Sequence, residues 1–435
     1  MDFVLFLLLN VALFLRPQEL APSLASIHFY NILIVANLAV ALPMIINQVR
    51  TGWKRSPAIV CVLGILAALV VSLLARNDFA GAWQWGLDFA KVAAYFVLLT
   101  AVITTPRRFT IFLGAIVALT VALSALAVAH FHGHIELDAI KHAREVSYDL
   151  MTGDRIDNLR LAAFGVFADP NDLSMIVVMS MLICLGAIFY RDLKLTRFLA
   201  VAPLLFLSYV LALTQSRGGF LALIAGLGVY LVNRYGWMRS SVMFAAVLVV
   251  VFTIFDGRQV DISGGIAGGT GGQRTDLWYA GLQMLKWSPL VGWGHGQFVQ
   301  EQGLVAHNSY IQALAEWGLL GGMMFVGLFY VVLYSVWRLK PVRARIASPV
   351  LRSMQPYVLG ALAAYAASML TLTRCDVVPT YLVAGLGVSY ERLARRGTPL
   401  RSLEVSPALV MHIALATAAF IAVTYVYIRY IYRLF

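Results

Sequence analysis

Basic side chains beside apolar segments are the residues of this sequence best suited to chemistry. Arg217 and His307 each lie next to a long hydrophobic stretch, Arg160 precedes another, and Arg274 lies in the polar segment that leads to His307. Arginine is always charged and offers a planar fork for phosphate oxygens, so two arginines could hold a pyrophosphate and stabilise it as a leaving group. Histidine titrates near neutral pH and could take the proton of an attacking hydroxyl. Together these groups would suit nucleophilic displacement at a sugar carbon that bears a lipid pyrophosphate.

Each of these residues also has a simpler structural explanation. Arg217 could anchor a helix by extending its side chain to lipid headgroups. Arg274 could form a surface ion pair with Asp276 or Glu301, and such pairs contribute little. His307 could hydrogen-bond to a backbone carbonyl at a helix end. The chemical interpretation is therefore supported only by the occurrence of these residues together, and by none of them alone.

The elements that carry these residues are predicted to be membrane helices. The chain has 435 residues, of which 61% are hydrophobic and 12% charged, and its mean hydropathy is +0.81. Soluble domains carry about 25% charged residues, so we predict an all-α polytopic membrane protein. Twelve or thirteen apolar runs approach the length that crosses a bilayer. They are residues 2–15, 28–49, 57–75, 84–104, 109–130, 171–190, 196–213, 218–233, 239–255, 308–337, 354–372, 377–393 and 407–428.

The net charge of +12 is explained by membrane topology rather than by nucleic-acid binding, because the positive residues cluster in alternate short loops. These loops should be cytoplasmic, and the long loops 131–170 and 256–306 should face the other side, which in a bacterium is the periplasm. Three scattered cysteines are too few for a disulfide framework or a zinc site. The predicted organisation is N-terminal helices (1–130), a periplasmic loop (131–170), central helices (171–255), a large periplasmic loop (256–306) and C-terminal helices (307–435).

The two long loops should contain local structure. Loop 131–170 has mixed charges and is predicted to contain a short amphipathic helix. In loop 256–306 a glycine run precedes a helix from Gln273 to Lys286, which Ser288-Pro289 should end. A turn-rich link with further glycines then leads to His307, and several tryptophans are expected to form a belt at the membrane interface. They are Trp278, Trp287, Trp293 and Trp317.

Three stretches, taken together, resemble a known family. They are Gln215-Ser216-Arg217-Gly218-Gly219-Phe220, then Arg274-x-x-x-Trp278 with Ser288-Pro289-Leu290-Val291-Gly292-Trp293-Gly294, then His307-Asn308-Ser309-Tyr310-Ile311-Gln312 with Glu316-x-Gly318. In this order they resemble the core of the bacterial O-antigen ligase and O-antigen polymerase superfamily, and Phe167-Ala168-Asp169-Pro170-Asn171 is similar to the segment before its central helices. The resemblance covers roughly residues 155 to 335. The chain departs from it in Gly218-Gly219, where a larger residue is usual, and in its long glycine run.

The resemblance implies a GT-C-like glycosyltransferase of the bacterial inner membrane that works at the periplasmic face, without metal or cofactor. The donor would be a glycan on undecaprenyl pyrophosphate. The acceptor would be lipid A-core, another lipid-linked repeat unit of an O-antigen, capsule or exopolysaccharide, or a protein hydroxyl. Arg217 and Arg274 would contact the pyrophosphate, and His307 would be the general base or would orient the acceptor hydroxyl. Further substrate contacts are expected from Arg160, Asn171, Gln215, Asn308 and Tyr310.

Two other functions fit an arginine-bearing membrane protein. A transporter or flippase of lipid-linked sugars would need polar residues deep within several helices, broken helices and internal symmetry. The sequence shows few such polar residues and no internal repeat, which favours the enzyme. A non-catalytic scaffold would need no histidine and arginine set.

Overall fold

The computed structural model describes residues 1–50, 56–141, 143–148, 155–254 and 270–434, and these form helices, connecting segments and one two-stranded sheet. The helices are α1 (Asp2–Leu15), α2 (Pro17–Leu20), α3 (Phe29–Arg50), α4 (Pro57–Leu74), α5 (Phe79–Val102), α6 (Pro106–Phe131), α7 (Pro170–Ile188), α8 (Val201–Thr214), α9 (Arg217–Tyr235), α10 (Trp237–Ile254), α11 (Thr270–Trp287), α12 (Gln297–Gln302), α13 (Ser309–Trp337), α14 (Pro349–Ser368), α15 (Val378–Arg395) and α16 (Pro407–Leu434). The strands are β1 (Ala143–Tyr148) and β2 (Arg155–Arg160).

The predicted fold class is confirmed. Ten helical segments in the described part of the chain are long and apolar enough to cross a membrane, and each coincides with a predicted span. The remaining predicted spans, 239–255, 354–372 and 377–393, are also helical and correspond to α10, α14 and α15. The protein is therefore an all-α polytopic membrane protein.

Of the two helices predicted in the long loops, the one in loop 131–170 is wrong and the one in loop 256–306 is confirmed. Where an amphipathic helix was expected, β1 and β2 form an antiparallel pair that runs from Ala143 opposite Arg160 to Tyr148 opposite Arg155. Strand pairing satisfies the backbone by contacts between two segments, which a search for helical spacing within one segment cannot detect. The helix predicted from Gln273 to Lys286 is α11. The glycine run before it lies, up to residue 269, outside the described residues.

The first of two compact units comprises Met1–Val40, Thr105–Val260 and Ser348–Ser368. Helix α7 is buried along most of its length and packs against α8, α9 and α14. Helices α9 and α14 approach closely, because a Cβ on Gly226 would lie 2.9 Å from the Gly360 carbonyl oxygen. Small residues at such crossings let membrane helices meet backbone to backbone. This packing holds the start of α9, where Arg217 lies.

The second unit comprises Ala41–Thr104, Asp261–Ala347 and Met369–Phe435. Its long helix α13 packs against α4, α11, α15 and α16. The helix is interrupted at Gly318, whose backbone angles of φ 64 and ψ −165 are not helical. The break separates a short segment after His307 from the long apolar run that follows.

Candidate functional site

In the first unit, the two predicted site residues Arg160 and Asn171 are joined to each other and to the turn before α9 by hydrogen bonds. Arg160 Nε donates to the Thr214 carbonyl at 3.0 Å, and its Nη2 donates to Asn171 Oδ1 at 3.2 Å. Ser216 Oγ donates to the same Asn171 oxygen at 2.7 Å. The end of β2, the start of α7 and the turn between α8 and α9 are thus tied together beside Arg217. Sequence distance alone would not have shown that Asn171 links them.

The turn before α9 places Arg217 at a helix start. Gln215 has a left-handed backbone with φ 47, which reverses the chain between α8 and α9, and Ser216 Oγ then caps α9 by accepting from the Gly219 N–H at 3.1 Å. A cation in the first turn of a helix is unfavourable by about 0.3–1 kcal/mol, whereas an anion there is stabilised. Arg217 and the positive end of the α9 dipole both favour a negatively charged group at this position.

Gly219 explains the departure from the family pattern. A Cβ at this position would lie 2.5 Å from both Cβ and Oγ of Ser174 on α7. Ser174 Oγ in turn contacts Ser216 Oγ at 3.1 Å. Glycine is needed here because a larger side chain would push α9 away from the hydrogen-bonded cluster.

In the second unit, α11 positions Arg274. Gly281 allows α11 to approach α13, since a Cβ there would lie 2.4 Å from Ile311 Cγ2. Trp278 Nε1 donates to the Ala306 carbonyl at 3.0 Å. Arg274 is four residues earlier and so lies on the same helix face, about 6 Å along the axis. The approach of Arg274 to the segment that carries His307 stays a prediction from this shared helix face.

His307 has an unusual backbone held on both sides. Its φ of 48 is left-handed, a conformation that is uncommon for residues other than glycine. On one side Ala306 is pinned, because its N–H donates to Gln312 Oε1 at 3.0 Å while its carbonyl accepts from Trp278. On the other side Asn308 Oδ1 accepts from the N–H groups of Tyr310 and Ile311, which confirms it as the N-cap of α13.

Tyr310 lies among apolar side chains. It is 8% exposed, and its ring packs against Phe325, Phe329 and Phe420. This packing gives Tyr310 a structural part in holding the start of α13, and its substrate contact stays a prediction.

The break in α13 is filled by the link that follows α11. The N–H groups of Trp293 and Gly294 donate to the carbonyls of Ala315 and Glu316 at 3.0 and 2.9 Å. Beyond the break, the N–H groups of Leu319 and Leu320 donate to the carbonyls of Pro289 and Leu290 at 2.7 and 3.2 Å. Backbone groups freed by a break inside a membrane must be paired. Residues 289–294 supply these partners and are thereby locked against α13.

A buried polar cluster next to this break was not found from the sequence. His295 is 8% exposed, its Nδ1 lies 3.1 Å from Glu316 Oε2, and its Nε2 lies 3.4 Å from Asp376 Oδ2. Burial by itself lowers the pKa of His295, but the nearby carboxylates of Glu316 and Asp376 raise it, and the net result lies above the ordinary histidine value. The histidine therefore favours its charged form in this cluster.

The signal that could have revealed His295 was its place between Gly294 and Gly296, a titratable residue inside a glycine-rich link. The charged partner observed for Glu316 is His295. The tryptophan belt is wrong for Trp317, which is fully buried, although Trp287 is 76% exposed.

Comparison with known proteins tests the family resemblance. Residues 202–326 match the family model described as O-antigen ligase. Among curated proteins, none matches this chain. The matched segment begins in α8 and ends within α13, and it contains Arg217, Arg274 and His307. Residues 202–326 are therefore similar to the O-antigen ligase family, in the same part of the chain as the motifs that carry the resemblance.

Proposed function

We propose that the protein transfers a glycan from undecaprenyl pyrophosphate to an acceptor hydroxyl. The family implies a ligase or polymerase that acts as a glycosyltransferase. The observation that carries the finer proposal is His307, which lies in the matched segment with a left-handed backbone held by hydrogen bonds on both sides. Such strain persists only where the surrounding structure imposes it, and it is concentrated at functional sites.

In the proposed reaction, the acceptor oxygen attacks the anomeric carbon of the donor sugar. The bond between that carbon and the pyrophosphate oxygen breaks, and undecaprenyl pyrophosphate leaves with the electron pair. His307 takes the proton of the attacking hydroxyl. Arg217 and Arg274 bind pyrophosphate oxygens and stabilise the charge that develops on them. Arginine charge at these oxygens serves the purpose that a metal ion serves in other transferases.

The remaining candidate residues have supporting roles in this proposal. Arg160 and Asn171 hold the turn that carries Gln215 and Arg217, and they contact the donor where their polar atoms reach it. Support for a donor group near the turn comes from Gln215 Oε1, which is buried and has no hydrogen-bond partner within the described ranges. Asn308 orients the start of α13 and with it the acceptor.

We further propose that the site faces the periplasm from the inner membrane. The basic loops support this orientation, because Arg234 and Arg239 flank the end of α9 that is opposite Arg217. Positive residues are retained on the cytoplasmic side. A lipid pyrophosphate would enter from the bilayer and meet the start of α9 at the other side.

A deletion strain that carries plasmid copies of the gene tests the proposal. With wild-type protein we expect complete surface glycan. With His307→Ala we expect protein in the membrane at normal level but no ligated or polymerised product. His412→Ala, which removes an exposed histidine on α16, is the matched control. Unligated polymer in the deletion strain would indicate a ligase, and single repeat units a polymerase. Wild-type product levels with His307→Ala would refute the assignment of the base.

A transporter of lipid-linked sugars is the alternative, and the break at Gly318 is a feature that transporters share. In transporters, freed backbone groups typically bind substrate or ions. Here the groups freed at Gly318 are paired with residues 289–294, which favours a static break. Proteoliposomes that flip a fluorescent lipid-linked sugar without forming a glycosidic bond would support the transporter instead.

A further inference from the structure

The polar cluster of His295, Glu316 and Asp376 has no direct part in the proposed reaction. It is connected by hydrogen bonds to Ala306, the residue before the proposed base His307. We propose that His295 is a positioning residue that acts through Glu316 and Gln312 to hold the backbone on which His307 is carried. This inference rests on the proposed function, since it assigns the groups that keep the base in place.

The connection runs through a continuous set of polar contacts. His295 Nδ1 lies 3.1 Å from Glu316 Oε2, and Glu316 Oε1 accepts from Gln312 Nε2. Gln312 Oε1 then accepts from the Ala306 N–H at 3.0 Å. Glu316 Oε1 also accepts from the Phe298 N–H at 3.3 Å, which ties α12 to the same carboxylate. Each side chain orients the next, and the last one holds the residue before His307.

The orientation of the Gln312 side-chain amide matters, because its nitrogen can only donate and its oxygen can only accept a hydrogen bond. Only with its nitrogen directed at Glu316 does its oxygen face the Ala306 N–H. An acceptor at Glu316 therefore selects the amide orientation that pins Ala306. The charge on Glu316 is buried, with 1% of its side chain exposed, so it requires a positive partner. His295 supplies that partner.

The surroundings of His295 favour its charged form. Glu316 faces it from α13, and Asp376 faces it from the segment between α14 and α15. Trp85 on α5 meets its ring at 4.7 Å between centroids, and Trp317 stacks at 6.0 Å. The nearby cation Arg76 lies over the Trp293 ring, 4.8 Å from its centroid. Two carboxylates and two apolar rings thus enclose the imidazolium.

The direction of the pH effect follows from the raised pKa of His295. The stabilisation from this cluster is complete below the unfolded pKa of about 6.5 and is lost as the pH rises through the higher folded pKa. Transfer should therefore have an alkaline limb, on which His295 loses its proton and Ala306 is released.

The test uses full-length protein in membranes, with a lipid-linked glycan donor and its acceptor. Glu316→Gln should lower kcat, on the order of 10²-fold for a small misplacement of a base, and should move the alkaline limb to lower pH, because His295 loses its closest anion. His295→Asn should lower kcat similarly and abolish that limb. His130→Asn is the matched control, since His130 is half-buried and accepts from the Leu137 N–H at 3.2 Å.

Hydrogen–deuterium exchange of the peptide from Val305 to Tyr310 gives a readout that needs no activity. Both variants should exchange faster than wild type there, and His130→Asn should not. If wild-type protein shows no transfer but exchange accelerates in both variants, the proposed function fails and the positioning role stands. If transfer is present and either Glu316→Gln or a folded His295→Asn leaves both the alkaline limb and the exchange unchanged, the inference is overturned. Glu316→Gln preserves the side-chain shape, so it decides the question if His295→Asn does not fold.

Discussion

Gly318→Ala should destabilise the protein strongly, because the backbone of the link at residues 290–292 leaves no room for a methyl group. A Cβ here would lie 2.3 Å from the Leu290 carbonyl oxygen and 2.6 Å from the Gly292 nitrogen. Both are backbone atoms and cannot rotate away. The residue also has φ 64 and ψ −165, a region that is essentially restricted to glycine and costs other residues about 1–3 kcal/mol.

The expected magnitude combines two effects. The backbone conformation contributes about 1–3 kcal/mol, and overpacking of a filled interior adds about 1–3 kcal/mol. If the structure relaxes by separating the two segments, it loses hydrogen bonds such as those from Leu319 to Pro289 and from Gly294 to Glu316. We therefore expect a loss of about 2–6 kcal/mol, a large fraction of the stability of a typical domain.

The assay is thermal denaturation of purified full-length protein in detergent, followed by tryptophan fluorescence, together with glycan transfer in the deletion strain. Gly114→Ala is the matched control, because Gly114 lies inside α6 and its added Cβ would meet nothing within 4 Å. Alanine there should be neutral or stabilise by up to about 1 kcal/mol. A melting temperature and transfer activity for Gly318→Ala equal to those of Gly114→Ala would refute the account of the break.

Three further predictions concern the candidate site. Arg217→Lys and Arg274→Lys should each reduce transfer by on the order of 10²-fold, because lysine keeps the charge but loses the bidentate fork; near-normal kcat/KM would count against pyrophosphate binding. Asn171→Ala should lower stability by about 0.5–1.5 kcal/mol, because Arg160 and Ser216 lose a shared, half-buried acceptor, whereas Asn171→Asp keeps the acceptor and should retain more stability in the same denaturation assay. Transfer should persist after EDTA treatment of membranes, and a loss restored by added divalent cations would contradict the metal-independent mechanism.

Local features of the sequence were enough to predict most helices. Long apolar runs predicted the spans, and Ser288-Pro289 correctly predicted the end of α11. The Asn308 cap of α13 is local in the same way, because capping depends on residues only two or three positions apart. The hairpin of β1 and β2 was missed because its partners are in separate segments.

The candidate site residues could be predicted only in part, because residue type and local position are visible in the sequence whereas contacts between segments are not. Arg217 and His307 were identified by residue type and by their positions next to apolar runs, Arg274 by its place in the polar segment that leads to His307, and the resemblance gave them roles that stay predictions. Asn171 was named from the resemblance, but its hydrogen bonds to Arg160 and Ser216 depend on how α7 packs beside the turn.

The sequence by itself determined that this is a multi-span membrane protein with a segment similar to the O-antigen ligase family, because hydropathy, charge and short motifs are local properties of the chain. Only the tertiary structure decided that His295, Glu316 and Asp376 meet, since these residues are far apart in the chain and none is unusual alone. It also decided why Gly318 must be glycine, because the atoms that exclude a side chain belong to the link at Leu290 to Gly292. Contacts between distant segments follow from packing, and packing is what a linear pattern does not contain.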